Sequence, residues 1–220
     1  LDYSVLKEHN PAIIYAAISG FGQSGPYAQR PAMDIVAQAM GGLMSITGEP
    51  DGGPIRVGAS IGDIAAGLYC AIGILAALQE RHASGRGQMV DISMLESQIA
   101  LQENAFSRYL ATGDVPQRLG TRHPVSTPFQ AYQTRDGWIV VAVTGPETWP
   151  LFCSGIDRVD LMDDERFTSS WLRTQHYDDL EPILREAMLQ KTTQQWVQEL
   201  SALNVPCGPV NTIDQVVADP

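Results

Sequence analysis

The pattern of apolar and polar positions predicts alternating strands and helices in the first half of the chain. Residues 13–19 (IIYAAIS) form a continuous apolar run, which is typical of a buried parallel strand. Residues 34–46 repeat apolar side chains at helical spacing, and residues 88–94 alternate as a strand and lead into a helix over 94–110. Strands and helices in this order indicate an α/β layer.

The most apolar part of the chain is a run without charge over residues 64–78, directly after Asp63. It predicts a buried helix from Asp63 to about residue 81, and Gly85 suits a left-handed helix end. The run is shorter than the roughly 20 residues that a membrane-spanning helix needs. We therefore expect no contact with a membrane.

The pattern changes after Gly113. Residues 114–128 contain Pro116, Pro124 and Pro128 and little periodicity, which indicates a linker over 113–128. Residues 129–143 predict a β-hairpin that turns at 135–137. Further elements are expected as helices at about 147–156, 178–190, 192–203 and 212–218, and as a short extended segment at 205–210.

These elements predict two domains. Residues 1–112 form part of a large α/β domain with parallel strands, and they carry Asp63. After the linker, residues 129–220 form a small α+β domain. The first helical segment, residues 3–9, resembles the end of a helix, so we expect the chain to be a portion of a longer protein.

The charge balance limits the partners that we expect. The chain has 25 acidic and 14 basic residues among its 220, a net charge of −11. Nucleic acids and anionic membranes are bound by clusters of Lys and Arg, so both are disfavoured as partners. A small anionic ligand held by a few local bases remains compatible with this charge.

The cysteines indicate neither a metal site nor a disulfide framework. Cys70, Cys153 and Cys207 are odd in number, far apart and without a neighbouring cysteine or histidine motif. We expect no bound metal, and reduced thiols in a cytoplasmic protein.

Asp63 is the first candidate for chemistry, and two interpretations are open. An aspartate at the start of an apolar helix is ordinarily a cap that accepts backbone N–H bonds. Alternatively it is a carboxylate nucleophile. Gly62 before it leaves open backbone where a substrate carbonyl can approach, and N–H groups at the helix start can stabilise a developing oxyanion.

Asp34 is a second acid at a predicted helix start. The ordinary interpretation is again an N-cap. In a functional interpretation, a second carboxyl group near a carboxylate nucleophile shares a proton or orients a substrate acid.

The basic side chains near these acids are few. Arg30, Arg56, Arg81 and Arg86 precede or follow the loops that we expect around Asp63, and most arginines of this kind are simply solvated. Arg30 comes shortly before the Asp34 helix and can meet a phosphate or a carboxylate. His123, in Arg-His-Pro, is ordinarily an exposed loop histidine, with a role in catalysis as the alternative.

Several segments together resemble the family III CoA-transferases, of the formyl-CoA transferase and carnitine CoA-transferase type. They occur in the order of the family, and they are MDIVAQAMGGLMSITG (33–48), VGASIGDIAAG (57–67), ILAALQERHASGRGQMVDISMLES (74–97), DGWIVVAV (136–143) and VPCGPV (205–210). The block around Asp63 is the most specific of them. The resemblance implies a Rossmann-like large domain, and an interlocked homodimer for the full-length protein.

The resemblance also implies the reaction. Asp63 matches the nucleophile of the family, which takes an acyl-CoA thioester as substrate without a permanently bound cofactor. Attack on the donor gives an aspartyl–acyl anhydride, and the released thiolate then forms an aspartyl-CoA thioester. A small carboxylic acid accepts the CoA by the reverse steps.

Other residues match the family at lower specificity. Asp34 matches the acid that assists the nucleophile, Met33 matches a neighbour that lines the CoA site, and Arg30 lies near a basic CoA contact. Gly62 and His123 complete the predicted CoA- and substrate-binding set.

Two other functions remain open. The related α-methylacyl-CoA racemases use a His-Asp pair as second base, where this chain has Met33 and Asp34. Racemisation needs a proton acceptor on each face of the carbon, so Met33 favours a transferase. The other possibility is a non-catalytic member of the family. The N-terminal region and the C-terminal return segment of the family have no counterpart in these residues.

Overall fold

The computed structural model describes residues 2–220 and divides into two compact units, which meet in sequence at Gly120 and Thr121. That position falls inside the predicted linker 113–128. The first unit contains a parallel sheet and the second an antiparallel sheet, so the predicted mixed α/β class is confirmed.

The first unit alternates helices with two parallel strands. Its elements are α1 (Tyr3–His9), β1 (Tyr15–Ser19), α2 (Asp34–Met40), α3 (Leu43–Ile46), α4 (Ile61–Ser84), β2 (Met89–Ser93), α5 (Met94–Ala100) and α6 (Glu103–Thr112). Strands β1 and β2 pair in register, with Tyr15 opposite Met89 and Ser19 opposite Ser93. Both predicted strands and their parallel pairing are therefore confirmed.

Helix α4 is the longest element and packs against β1, β2, α2 and α5. It begins at Ile61, two residues before the predicted start, and ends at Ser84. Gly85 follows with φ +70° and donates its N–H to the carbonyl of Arg81, as the predicted left-handed end requires.

The length of α4 corrects one expectation. Its 24 residues, with a mean hydropathy of 1.9 in the most apolar stretch, suffice by length and composition for a membrane span, which no other helix within residues 2–220 does. The expectation that this run is too short is therefore wrong. A helix in an α/β layer passes the same test, and the absence of membrane contact stays a prediction.

Two helices that the pattern predicts as continuous are interrupted. The helix over 34–46 breaks between α2 and α3, where Gly42 has φ +86°. The helix over 94–110 breaks between α5 and α6. At this break the amide of Gln102 donates to the carbonyl of Gly41 at 2.9 Å, and Gln98 donates to the carbonyl of Ala37. These buried amides donate to carbonyls at the end of α2, where carbonyl groups ordinarily lack a partner within the helix. The same hydrogen bonds therefore join the end of α2 to the break between α5 and α6.

The second unit has a three-stranded antiparallel sheet covered by helices. Its elements are β3 (Phe129–Gln133), β4 (Trp138–Ala142), α7 (Thr148–Gly155), 3₁₀ turns at Val159–Met162 and Glu165–Phe167, α8 (Ser170–Gln175), α9 (Tyr177–Met188), α10 (Thr193–Ala202), β5 (Cys207–Pro209) and α11 (Ile213–Ala218). The sheet order is β3-β4-β5. The predicted hairpin is confirmed, whereas α8 was not predicted.

A buried arginine explains the position of α8. Arg173 is 2% exposed, and its guanidinium donates to the carbonyls of Thr127 at 2.6 Å and Phe167 at 2.9 Å. It also lies over the ring of Trp149, 4.4 Å from the centroid. Burial lowers the pKa of Arg173 to about 10. Arg173 occupies a buried position of α8 where a helical pattern would have an apolar residue. The pattern of apolar positions therefore does not reveal this helix.

Candidate active site

The first turn of α4 positions Asp63. Ser60 is the N-cap residue and makes no side-chain capping bond, and Ile61, Gly62 and Asp63 form the first turn. Asp63 is therefore the third helical residue, and the interpretation of Asp63 as the N-cap is wrong. Its side chain is exposed.

The carboxylate of Asp63 is open. Within residues 2–220 it accepts no hydrogen bond and forms no ion pair, and the backbone N–H of Asp63 has no acceptor either. Donors in the first turn of a helix ordinarily find a cap or water. The positive end of the helix dipole also favours negative charge at this turn. The site thus combines an available carboxylate with an available backbone donor.

Asp34 connects α2 to this turn. It is the first residue of α2, with Met33 as the N-cap residue, so the prediction of Asp34 as an N-cap is wrong. Its side chain is buried, and Oδ1 accepts from the Gly62 N–H at 2.8 Å. Oδ2 accepts from the side-chain amide of Gln38 at 2.7 Å. Both oxygens of Asp34 are therefore held by protein donors.

Gly62 is needed for this connection. A Cβ at this position would lie 3.0 Å from Asp34 Oδ1 and 3.8 Å from the Cβ of Ala37. Because the N–H of Gly62 already donates to Asp34, it is not available to a substrate oxygen. The expectation that the backbone of Gly62 is open is therefore wrong, and the open donor is the next N–H, that of Asp63.

Gln38 is a residue that the sequence analysis missed. It is fully buried, and its Oε1 accepts from the Val57 N–H at 2.9 Å while its amide nitrogen donates to Asp34. The only signal in the sequence is its spacing, since residues four apart share a face of a helix. That spacing is too common to identify a site.

One arginine lies beside Asp34. Arg56 Nη1 is 4.0 Å from Asp34 Oδ2, and Nη2 donates to the Gly58 carbonyl at 3.3 Å. The Arg56 side chain is about half exposed, and ion pairs of this kind contribute little to stability. Its charge nevertheless makes this end of α2 more favourable for anions.

Arg81 and Arg86 are not near Asp63. Arg81 lies 18 residues further along the same helix, or roughly 27 Å at the helical rise per residue, and it donates to the Ala12 carbonyl. Arg86 follows the end of the helix. The expectation that these two surround Asp63 is wrong.

The other three predicted binding residues lie outside the helices and strands. Met33 is 72% exposed at the start of α2. The guanidinium of Arg30 lies over the ring of Tyr27, 4.3 Å from its centroid. His123 belongs to the second unit. The binding roles of these three residues stay predictions.

The ring of His123 is held by its own unit. It stacks on Phe129 with the centroids 4.8 Å apart, and Nδ1 accepts from the Val125 N–H at 3.3 Å. A neutral ring in this arrangement carries its proton on Nε2.

Two further observations concern metal binding and the cysteines. No group of three or more His, Cys, Asp or Glu in residues 2–220 is placed to hold a metal ion. The cysteines are free, with Cys70 and Cys153 buried. Burial raises the pKa of the Cys153 thiol to about 12.

Comparisons with known proteins identify the family. The model of CoA-transferase family III matches residues 1–220. The chain is 37% identical over 220 residues to the succinate–glutarate CoA-transferase of Agrobacterium fabrum, and the match covers 100% of this chain and 55% of that protein. It is 36% identical to the human succinyl-CoA:glutarate CoA-transferase, covering 100% of this chain and 50% of that protein.

A solved structure has a similar fold and sequence. A CAIB/BAIF family protein from Brucella suis superposes with a TM-score of 0.84 at 37% identity, over 100% of this chain and 58% of that one. The chain spans about half the length of the curated relatives that it matches. The match of the family model over all 220 residues shows that this chain belongs to CoA-transferase family III.

Proposed function

We propose that the full-length protein transfers CoA from an acyl-CoA thioester to a carboxylic acid, with Asp63 as the nucleophile. The observation that carries this proposal is the open carboxylate of Asp63 beside its own unpaired N–H, in the first turn of α4. An aspartate whose role is to cap a helix is expected to accept backbone hydrogen bonds. Asp63 accepts none within residues 2–220.

The reaction proceeds through two kinds of covalent intermediate. A carboxylate oxygen of Asp63 attacks the thioester carbon, the C–S bond breaks, and CoA leaves as the thiolate from an aspartyl–acyl anhydride. The thiolate attacks the Asp63 carbonyl carbon, the donor acid leaves, and aspartyl-CoA remains. The acceptor carboxylate then attacks the carbonyl carbon of aspartyl-CoA, the C–S bond breaks, and a second anhydride forms as CoA leaves as the thiolate. The thiolate finally attacks the acceptor acyl carbon, the C–O bond of this anhydride breaks, and the acceptor acyl-CoA and the free Asp63 carboxylate are released. No electron or proton is gained or lost overall, and a weak nucleophile suffices because one difficult exchange is divided into easier steps.

The chain supplies two features that assist these steps. The open N–H of Asp63 can donate to an oxyanion that forms at the same carboxyl group. The end of the helix dipole favours the carboxylate, the oxyanion and the thiolate, which are all negative. Water has to be kept from both intermediates, because it would hydrolyse them.

The substrates are proposed from the relatives. The names of the Agrobacterium and human proteins contain succinate, succinyl-CoA and glutarate, so short dicarboxylates and their CoA thioesters are the proposed donors and acceptors. Arg30, Met33 and His123 are proposed to contact CoA or substrate, and Asp34 to support the nucleophile. We further propose an interlocked homodimer in the cytoplasm, on the basis of the family and of the reduced cysteines.

Neither alternative has a specific observation in its favour. A two-base racemase needs a proton acceptor where this chain has Met33, and a thioether cannot accept a proton at neutral pH. A non-catalytic relative gives no reason for Asp63 to lack every cap interaction.

The test is steady-state transfer between succinyl-CoA and labelled glutarate, using the full-length protein. We expect Asp63→Asn to reduce kcat by about 10⁴-fold or more, as loss of a nucleophile does, with the thermal unfolding midpoint nearly unchanged. Glu103→Gln is the matched control, because Glu103 is an exposed acid in the first turn of α6. Equal activity of Asp63→Asn and the control contradicts the proposal. Exchange of the α-proton of a 2-methylacyl-CoA without any acceptor acid indicates a racemase instead.

A further inference from the structure

We propose that Gln38 is a positioning residue that fixes the first turn of α4, and with it Asp63, by bridging Asp34 and the segment before the helix. The inference deepens the proposed function and rests on it for its effect on catalysis. Its structural part, a clamp on residues 57–62, can be measured without any activity.

The side chain of Gln38 is matched to both of its neighbours. Its amide nitrogen donates to Asp34 Oδ2 at 2.7 Å, and its oxygen accepts from the Val57 N–H at 2.9 Å. The side chain is fully buried, so water does not replace either bond. A primary amide offers a donor to a carboxylate and an acceptor to an N–H at the same position, whereas an apolar side chain of similar size offers neither.

The clamp replaces the missing cap of α4. Ser60 makes no side-chain bond at the helix start, and the N–H of Gly62 is held instead by Asp34 Oδ1 at 2.8 Å. Gln38 fixes the other oxygen of Asp34 and also fixes Val57, four residues before the helix begins. The two hydrogen bonds that join residues 57 and 62 to α2 therefore both involve Gln38, one directly and one through Asp34.

The expected consequence is a loss of rate. If the clamp opens, Asp63 keeps its chemistry but loses its fixed position relative to the thioester carbon. A misplacement of about 1 Å can cost on the order of 10²-fold in rate. Substrate binding by other residues changes less, so kcat falls more than KM rises.

The first test is Gln38→Leu in the full-length protein. We expect kcat to fall by about 30-fold with KM changed less than about threefold. Hydrogen–deuterium exchange of the peptide that contains residues 57–62 rises about tenfold or more. Gln102→Leu is the matched control, because Gln102 is a buried glutamine of the same unit whose amide donates to backbone carbonyls at 2.9 and 3.2 Å.

The second test is Gln38→Glu, which distinguishes positioning from general stability. A protonated Glu has the shape of the amide, with an O–H for Asp34 and a carbonyl oxygen for Val57. The ionised form repels Asp34 and lacks a donor. Burial and the neighbouring carboxylate raise the pKa of the introduced group, so activity is regained as pH falls. The charged groups that contact this clamp are Asp34 on α2, which bonds Gln38 directly, and Arg56 before α4, which lies beside Asp34; Asp63 follows Gly62, whose N–H Asp34 holds.

The outcomes separate the claims. The inference is supported if Gln38→Leu has a lower kcat and faster exchange of residues 57–62. It also requires that the activity of Gln38→Glu recovers at low pH, relative to the wild type and to Gln102→Glu. Unchanged exchange of residues 57–62 overturns it, and so does faster exchange with kcat unchanged. An equal pH dependence in Gln102→Glu assigns the effect to stability and also overturns it. If the wild type transfers no CoA, the proposed function fails, and the exchange result alone decides whether the clamp exists.

Discussion

At the scale of single residues, Asp34 and Gly62 act as a pair. The carboxylate approaches α4 closely enough to accept from the Gly62 N–H at 2.8 Å, and it does so because position 62 has no side chain. Asp34 is itself fixed by Gln38 and buried, so it has little freedom to move away from an added methyl group.

We therefore predict that Gly62→Ala impairs catalysis more than stability. The added Cβ lies 3.0 Å from Asp34 Oδ1, so the hydrogen bond lengthens and the turn of Asp63 shifts. The better helix propensity of Ala, about 1 kcal/mol, offsets part of the steric cost. We expect kcat of the full-length protein to fall about tenfold, while the free energy of unfolding changes by less than about 1 kcal/mol.

Gly58→Ala is the control for this substitution, because a Cβ there meets nothing within 4 Å. It measures what the loss of a glycine before α4 does by itself to the free energy of unfolding. If kcat of Gly62→Ala equals that of the wild type, the close approach of α2 and α4 does not position Asp63.

The residues of the site show what a sequence can reveal. Asp63 is recognisable because an acid before a long run without charge is unusual, and because its segment resembles a family motif. The sequence does not show that Asp63 lies inside the helix instead of at its N-cap. This depends on α4 beginning at Ile61, two residues before the predicted start. Gln38 carries no signal in the sequence beyond its spacing of four from Asp34, because its role depends on Val57, which is 19 residues away and is held through a backbone N–H.

At the scale of elements, the contact of α4 with β2 depends on Gly73. A Cβ at this position would lie 2.6 Å from Val90 Cγ1. The glycine therefore sets how closely the helix packs on the parallel sheet.

We predict that Gly73→Ala destabilises the first unit by about 1–3 kcal/mol, as overpacking does. The second substitution Val90→Ala removes the clashing methyl group and restores part of the loss, so the two changes are not additive. Gly67→Ala on the same helix is the control, since its Cβ meets nothing within 4 Å, and it stabilises by up to about 1 kcal/mol. Urea unfolding of the full-length protein measures all four variants. Additive effects of Gly73→Ala and Val90→Ala contradict this account of the packing.

In the second unit, Asp136 connects the hairpin turn to α10. Its Oδ1 accepts from the Thr193 N–H at 2.8 Å, from Thr193 Oγ1 at 3.1 Å and from Thr134 Oγ1 at 3.3 Å. The bond from the Thr193 backbone, more than the hydroxyl bonds, lowers the pKa of the Asp136 carboxyl.

We predict that Asp136→Ala lowers the thermal unfolding midpoint near neutral pH and that the difference disappears in acid. The folded pKa lies below the unfolded value of about 3.9, so the contribution is complete above that value and is lost as pH falls through the folded pKa. Scans between neutral pH and strong acid measure the difference. Asp163→Ala is the control, because Asp163 is exposed and makes no side-chain hydrogen bond within residues 2–220. A difference that grows in acid contradicts this assignment.

The elements were predictable where one periodicity dominates. The apolar run of β1, the alternation of β2 and the Arg-Asp-Gly turn of the hairpin each identify their element. The breaks after α2 and after α5 were not predictable, because the side-chain amides of Gln98 and Gln102, in and just after α5, bond the carbonyls of Ala37 and Gly41, which are 61 residues away in sequence. Tertiary hydrogen bonds of this kind leave no local pattern.

At the scale of the whole molecule, the two units differ in how much they bury. The second unit has a continuous core that includes Tyr132, Phe152 and Trp196. The buried cluster found in the first unit consists of Ala37, Ala66 and Met94, packed with Ile92. The first unit instead exposes an apolar face of α4, where Ile64, Leu68, Ile72 and Leu75 are each at least half exposed.

We predict that residues 121–220 fold by themselves and that residues 1–120 do not form a stable monomer. The reason is that a domain needs a core large enough to offset the conformational entropy of the chain. Urea unfolding followed by fluorescence and by circular dichroism should show one cooperative transition for the second fragment, with coincident curves. Noncooperative unfolding of residues 121–220 contradicts this reading of its core.

The central claim is that Asp63 carries CoA covalently during transfer, and peptide mass spectrometry tests it most directly. The full-length protein is incubated with succinyl-CoA, quenched and digested, with hydroxylamine added to a parallel sample. The account predicts a CoA adduct on the peptide that contains Asp63, its conversion to a hydroxamate by hydroxylamine, and no adduct in Asp63→Asn. Transfer activity that persists in Asp63→Asn, or an adduct on another residue that forms at the rate of turnover, contradicts it.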